Sequence, residues 1–247
     1  MNQNRIYIFG HRGASGYCIE NTLESFKTAF KMNAHIETDV RLTKDNVLVA
    51  FHDPGFKING KYYKIKNLTY EDLKNIDFKD GRNIPTLEDL FNCFPYKSTL
   101  KFSIDIGNKK VGFELIDFAK KHEKLENIFI TDTRIYVLEA LRDYNVDVNL
   151  IYTVPYKIVK LEKDKIDIQT LKRLGINTLN IKANKFYEEN FSIAVKCGFN
   201  CFFWSVNTKM RMKRLIKMEF NGSRINGLYT DYPDQAIKIC DKILNRN

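Results

Sequence analysis

His11 and Arg12 stand side by side in the stretch HRGASGYCIENT, directly after a short apolar run. A proton-transfer group therefore adjoins a cation suited to phosphate. Further on, IETDVRLTKDNVLVAFHDP carries two carboxylates, Glu37 and Asp39, and then a second histidine, His52. A phosphodiester resists hydrolysis because its anionic phosphorus repels nucleophiles and its alkoxide is a poor leaving group. A site that cleaves it needs charge neutralisation, proton removal and proton delivery. The first fifth of the chain holds parts for all three, in the form of metal-assisted phosphoryl chemistry. Each part also has a plainer use. Arg12 can pair with Glu20 or another loop carboxylate, Glu37 and Asp39 can line a solvated strand face, and a strand-end histidine can be structural. Glu20 and Asn21 either orient Arg12 and the histidine loop or, for Asn21, cap a helix. His35 and His122 lack comparable neighbours and read as surface or packing residues.

The elements that must position these residues follow from periodicity. Residues 6–9 read as a strand ending at Gly10, and a glycine-bearing loop leads into a helix over 22–32, with Asn21 or Thr22 as its cap. A second strand over 36–41 alternates so that Glu37 and Asp39 share one face. The polar turn 43–46 is too short for a parallel crossover and predicts an antiparallel hairpin with 47–52. A turn centred between Lys44 and Asp45 would set His52 opposite Glu37, on the same face as the carboxylates.

Strand patterns recur at 100–106, 128–131, 149–153, 178–181, 200–206 and 227–230. Helical patterns occupy 111–121, 133–142, 168–174, 186–197, 208–218 and 233–244. Strand–helix alternation predicts a parallel α/β fold. The strands number one more than an eight-stranded barrel needs, and the hairpin supplies the extra one. A (β/α)8 TIM barrel fits best, with a doubly wound open sheet as the alternative. The length of 247 residues suits one such barrel, and 44% hydrophobic residues suffice for its core. We therefore expect one domain over 1–247, with a small polar insertion at about 55–83 over a barrel mouth.

The amino-terminal stretch lacks the apolar core of a signal peptide, and no run approaches a membrane span, so a soluble cytoplasmic protein without stable membrane insertion is expected. Five cysteines without paired metal-binding spacing read as reduced core residues. A formal charge of +10 suits anionic partners, but the lysines are dispersed and no nucleic-acid signature is present, so no nucleic-acid partner is expected.

Taken in order, HRGASGYCIENT, IETDVRLTKDNVLVAFHD, IPTLEDL, SIDIG, CFFWSVN and GLYTDYP resemble the glycerophosphodiester phosphodiesterases over nearly the whole chain. The combination of HRG, ENT, a spaced E-x-D and a later HD is specific; the other motifs are supportive. The resemblance implies a barrel that hydrolyses glycerophosphodiesters to glycerol 3-phosphate and an alcohol with a divalent cation, Mg2+ or Ca2+. It implies His11 and His52 as the general acid/base pair, Arg12 as the phosphate ligand, and Glu37, Asp39 and Asp105 as metal ligands. Two departures stand out. The third acidic ligand is aspartate where the family usually has glutamate, and Gly107 replaces a lysine two residues later, so Lys109, Lys110 or a lysine from another loop would have to reach in. Trp204, the sole tryptophan, lies in a strand near the other end of the barrel, where it either walls the glycerol moiety or fills the core. The insertion is the candidate for selecting the alcohol. Two other functions fit the same barrel: a phospholipase-type enzyme on intact lipids, and a non-catalytic metabolite-binding protein, which Gly107 favours. The choice between water and a cyclic-phosphate route, and the oligomeric state, stay open.

Overall fold

The computed structural model describes residues 6–95, 99–162 and 164–244. Eight parallel strands close a barrel: β1 (Tyr7–Gly10), β2 (His35–Leu42), β6 (Phe102–Ile106), β7 (Ile128–Asp132), β8 (Asn149–Thr153), β9 (Thr178–Lys182), β10 (Asn200–Trp204) and β13 (Gly227–Thr230). The β1–β13 and β1–β2 pairings make the closure. Crossover helices are α1 (Leu23–Lys31), α4 (Lys109–Lys121), α5 (Ile135–Tyr144), α6 (Ile168–Arg173), α7 (Tyr187–Lys196) and α8 (Lys209–Lys217), and α9 (Pro233–Leu244) follows the last strand. The ninth strand of the main sheet, β3 (Leu48–Ala50), is the antiparallel arm of a hairpin with β2 and stands outside the barrel wall.

Alternation along each strand explains the two apolar layers. Inward residues Phe9, Phe129, Ile151, Phe202 and Tyr229 plug the barrel, with the Phe9 and Tyr229 rings stacked at 5.0 Å. Outward residues such as Ile8, Ile36, Ile104, Ile130 and Leu228 meet Phe26, Leu115, Leu138 and Leu215 from the helices. Phe9 is fully buried, and cutting it to alanine would cost about 3–5 kcal/mol. The plug leaves the carboxyl ends of the strands as the floor of an open mouth.

After the hairpin, β4 (Gly55–Ile58) and β5 (Lys61–Lys64) pair around Asn59-Gly60, both at positive φ, as a tight hairpin turn requires. With α2 (Tyr70–Lys74) they cover a satellite core of Val49, Phe51, Ile65, Leu73 and Ile84. The sequence pattern missed α2 and α3 (Leu87–Asn92), whose five and six residues are too short to display helical periodicity. It also missed the two-residue strands β11 (Glu219–Phe220) and β12 (Ser223–Arg224).

The hairpin register differs from expectation by one residue. Val40 pairs with Ala50 and Leu42 with Leu48, which sets residue 38, rather than Glu37, opposite His52 if extended. The ladder ends before His52, however, and the following loop carries that side chain to the mouth.

Candidate active site

The β1–α1 loop is built around its own side chains. Arg12 and Asn21 take positive φ values of 52° and 54°, which cost a non-glycine residue about 1–3 kcal/mol each unless the surroundings hold them. Here the backbone N–H of Arg12 donates to Glu37 Oε2 at 2.7 Å, and the Asn21 N–H donates to the Arg12 carbonyl at 3.0 Å. Gly13 has φ 81°, and an added Cβ would collide with Ser25, so the third letter of HRG is a packing requirement. Of the two cap candidates, Thr22 caps α1: its hydroxyl accepts from Ser25 N at 3.2 Å. Asn21 is buried between Thr38 and Asp39 instead, donating to Asp39 Oδ2 at 3.2 Å and accepting from Thr38 Oγ1 at 2.8 Å.

Glu37 and Asp39 face inward from β2, and Asp39 is in register with Asp105 on β6. One carboxylate oxygen from each of the three lies within 4.8 Å of the others, the geometry of a candidate cation site. Arg12 is the adjacent cation, donating to Glu20 at 2.7 Å and holding its Nε 3.3 Å from Asp39. Arg12, the three carboxylates Glu37, Asp39 and Asp105, and both histidines line one cavity of about 270 Å³ at the C-terminal mouth. Both histidines are tethered through Nδ1: His11 to Asp231 at 2.8 Å and His52 to Asp53 at 2.9 Å. In each ring that leaves Nε2 for proton transfer.

The electrostatics are those of a crowded anionic site. Burial, reinforced by Asp39, pushes Glu37 up to about 7 against the opposing pull of His11 and the Arg12 N–H. Burial and the two neighbouring carboxylates hold Asp105 well above the usual carboxylate range. Burial pulls His11 down, but Glu37 and the Asp231 hydrogen bond outweigh it, so His11 titrates above its ordinary value. Asp231 is held low by His11 even though burial opposes it. Three converging hard oxygen donors suit a small divalent cation, whose charge would offset the resistance of Glu37 and Asp105 to ionisation.

All seven residues singled out from sequence converge on this cavity, Trp204 included. Trp204 is at the C-terminal end of β10 and so at the same mouth as His11, contrary to its expected place near the other end of the barrel. In the sequence Asp231 stands only as the aspartate of the supporting motif GLYTDYP. The signal for its role is three-dimensional, because β13 becomes a neighbour of β1 only when the barrel closes. Ser15 and Asn207 also donate to Asp231 and fix its carboxylate. Neither of the two lysines that follow Gly107 takes the place of the family lysine. Lys110 bonds Asn46 at 2.8 Å on the outer side of the hairpin, and neither it nor Lys109 lines the cavity. The space over Gly107 belongs to Arg41, whose guanidinium an added Cβ would strike. Arg41 donates to the backbone carbonyls of His52 and Asp53 and thereby clamps the loop that carries His52.

The chain from residue 11 to 235 matches the model of the Glycerophosphoryl diester phosphodiesterase family. The Bacillus subtilis (strain 168) protein YhdW, named for that activity, is 31% identical over 246 residues, covering 94% of this chain and 97% of its own. A glycerophosphodiester phosphodiesterase of Caldanaerobacter subterraneus is 29% identical, covering 95% and 98%. In three dimensions the chain is similar to the Thermotoga maritima glycerophosphodiester phosphodiesterase, with a TM-score of 0.77, 22% identity and coverage of 95% and 98%. It is also similar to an Oleispira antarctica phosphodiesterase solved with the product sn-glycerol-3-phosphate, with a TM-score of 0.79, 19% identity and coverage of 95% and 96%. With its motifs, its closed barrel and a family match spanning almost its whole length, the chain belongs to the glycerophosphoryl diester phosphodiesterase family.

Proposed function

We propose that this protein hydrolyses glycerophosphodiesters to glycerol 3-phosphate and an alcohol, with His11 and His52 as the proton-transfer pair and Glu37, Asp39 and Asp105 as ligands of a divalent cation. One observation carries the proposal: two aspartate-tethered histidines, an arginine and three converging carboxylates share a single cavity at the C-terminal mouth of the barrel. Bound at the carboxylates, Mg2+ or Ca2+ would offset charge on a phosphate oxygen and acidify a neighbouring hydroxyl.

The chain's own residues supply the rest. Arg12 is held in place by Glu20 and Asp39 and offers its remaining N–H groups to a second phosphate oxygen. Asp231 fixes the tautomer of His11 by accepting at Nδ1, so that Nε2 can take or give a proton at the reacting oxygens. Asp53 does the same for His52 from a more open position. The two rings hold the protons for attack and departure. Either water or the glycerol hydroxyl next to the phosphate can be the nucleophile, and a transient cyclic phosphate would mark the second route. Five cysteines without a disulfide support a reducing, cytoplasmic setting, and among the described residues no helix is long and apolar enough to cross a membrane.

The test is release of glycerol 3-phosphate from glycerophosphodiesters with Mg2+, Ca2+ or chelator present, and with His11→Ala as control. Cation-dependent release that His11→Ala abolishes is expected. Release only from acylated lipids would favour the phospholipase reading. Absence of release with every diester and cation would overturn the activity.

A further inference from the structure

We propose that Lys182, Tyr156, Trp204 and Asn180 form the subsite for the departing alcohol, and that it accepts hydroxylated neutral or anionic alcohols and excludes quaternary ammonium ones. This deepens the phosphodiesterase reading above and rests on it. In the closed barrel the order of strands sets β9 and β10 across from β2 and β6, which carry the acidic cluster. A glycerol hydroxyl drawn to that cluster puts the glycerol on the near side of the phosphate. The alcohol on the far side then faces β8, β9 and β10, where Thr153, Tyr156, Asn180 and Trp204 line the cavity.

Two features define what that wall takes. First, Tyr156 and Trp204 present the kind of aromatic pair that ordinarily receives a cationic headgroup, but the place is already filled from within. Lys182 Nζ lies 3.9 Å from the Tyr156 ring centre and 5.2 Å from that of Trp204, its partner in strand register. Among the described residues no carboxylate pairs with Lys182, so its charge is uncompensated where it sits over two aromatic rings that line the cavity, on the same strand face as Asn180. A choline group entering here would meet a like charge and lose the aromatic contact. Second, Asn180 is 94% buried, with 6% exposure, and its Oδ1 has no hydrogen-bond partner; neither has the indole N–H of Trp204. An acceptor and a donor left unmatched favour a hydroxyl, which can both give and receive, and a trimethylammonium group can do neither. With the amide atoms of Asn180 exchanged, the position bonded to Thr153 Oγ1 at 3.3 Å becomes the acceptor and the free position a donor, which a hydroxyl or anionic oxygen can meet and a trimethylammonium group cannot.

The experiment compares kcat/KM for glycerophosphoglycerol, glycerophosphoinositol and glycerophosphocholine in the wild type, Lys182→Ala and Lys182→Arg. The wild type should prefer the polyol esters to the choline ester by about tenfold or more, Lys182→Arg should keep that order, and Lys182→Ala should shift the ratio towards choline by about tenfold. Trp204 is the sole tryptophan, so fluorescence reads the subsite directly. In a His11→Ala background, glycerophosphoglycerol should perturb the emission and glycerophosphocholine should do so only when Lys182→Ala is added. A choline ester preferred by the wild type, or ratios that Lys182→Ala leaves unchanged while shortening the β4–β5 hairpin moves them, would overturn the subsite and leave the activity standing. If no diester is cleaved, the phosphodiesterase reading fails, and the fluorescence titration still decides the subsite: equal response to both esters in both backgrounds overturns it.

Discussion

Replacing Glu37 with glutamine tests the electrostatic account of the acidic cluster. Free in an unfolded chain, the Glu37 carboxyl titrates near 4.5, whereas in the folded protein burial and its neighbours push it up to about 7. Between those values the folded state binds the extra proton. The associated stability is therefore complete below 4.5 and lost as pH rises through about 7. The difference corresponds to roughly 3 kcal/mol as an upper figure, which for a chain of this length is about 6–12 °C in Tm. His11, titrating above its ordinary value, acts in the same direction, so the informative quantity is the difference between wild type and variant. Glu37→Gln keeps an oxygen for the Arg12 N–H and removes the charge. With chelator present, thermal unfolding should show the wild type losing several degrees more than Glu37→Gln between pH 5 and pH 8.5. Millimolar Mg2+ or Ca2+ should raise the wild-type Tm at pH 8.5 more than at pH 5, and Glu37→Gln should respond weakly, because a ligand that binds the folded state stabilises it according to its saturation. Equal pH slopes for the two proteins, or equal cation responses, would refute the assignment of the cluster as a strained anionic site relieved by a cation.

Asp231→Asn should lower kcat roughly 10²-fold with little change in KM, and should move the pH-rate limb of His11 to lower pH, since it removes a contact that raises that pKa. An unchanged pH profile would count against the tether. Gly107→Lys should restore the residue usual in the family yet reduce turnover at least about tenfold, because the new side chain evicts Arg41 from the His52 carbonyl. Normal turnover would show that the clamp is dispensable. Thr22→Ala should cost about 1 kcal/mol in urea unfolding through loss of the α1 cap, and a null result would place that loop's stability in the Asn21 contacts instead.

What the sequence determined by itself is local in origin. Alternation along residues 36–41 put Glu37 and Asp39 on one face, and the short turn after Leu42 required the hairpin that returns the chain to His52. The recurrence of strand and helix patterns implied a parallel α/β fold, for which a barrel fitted better than an open sheet, and the motif order implied the family. Period and turn length act over a few residues, so they survive in the one-dimensional record even where the exact register, as at His52, does not.

Tertiary structure decided which distant residues meet. Asp231 reaches His11 across 220 positions because β13 and β1 become neighbours on closure. Arg41 occupies the space that Gly107 vacates because β2 and β6 run in register, with Val40 level with Ile106. Lys182 enters the aromatic pair of Tyr156 and Trp204 through the pairing of β9 with β10 and the path of the loop after β8. Such contacts depend on strand stagger and on the volume left by remote side chains, and no periodicity in the chain encodes either.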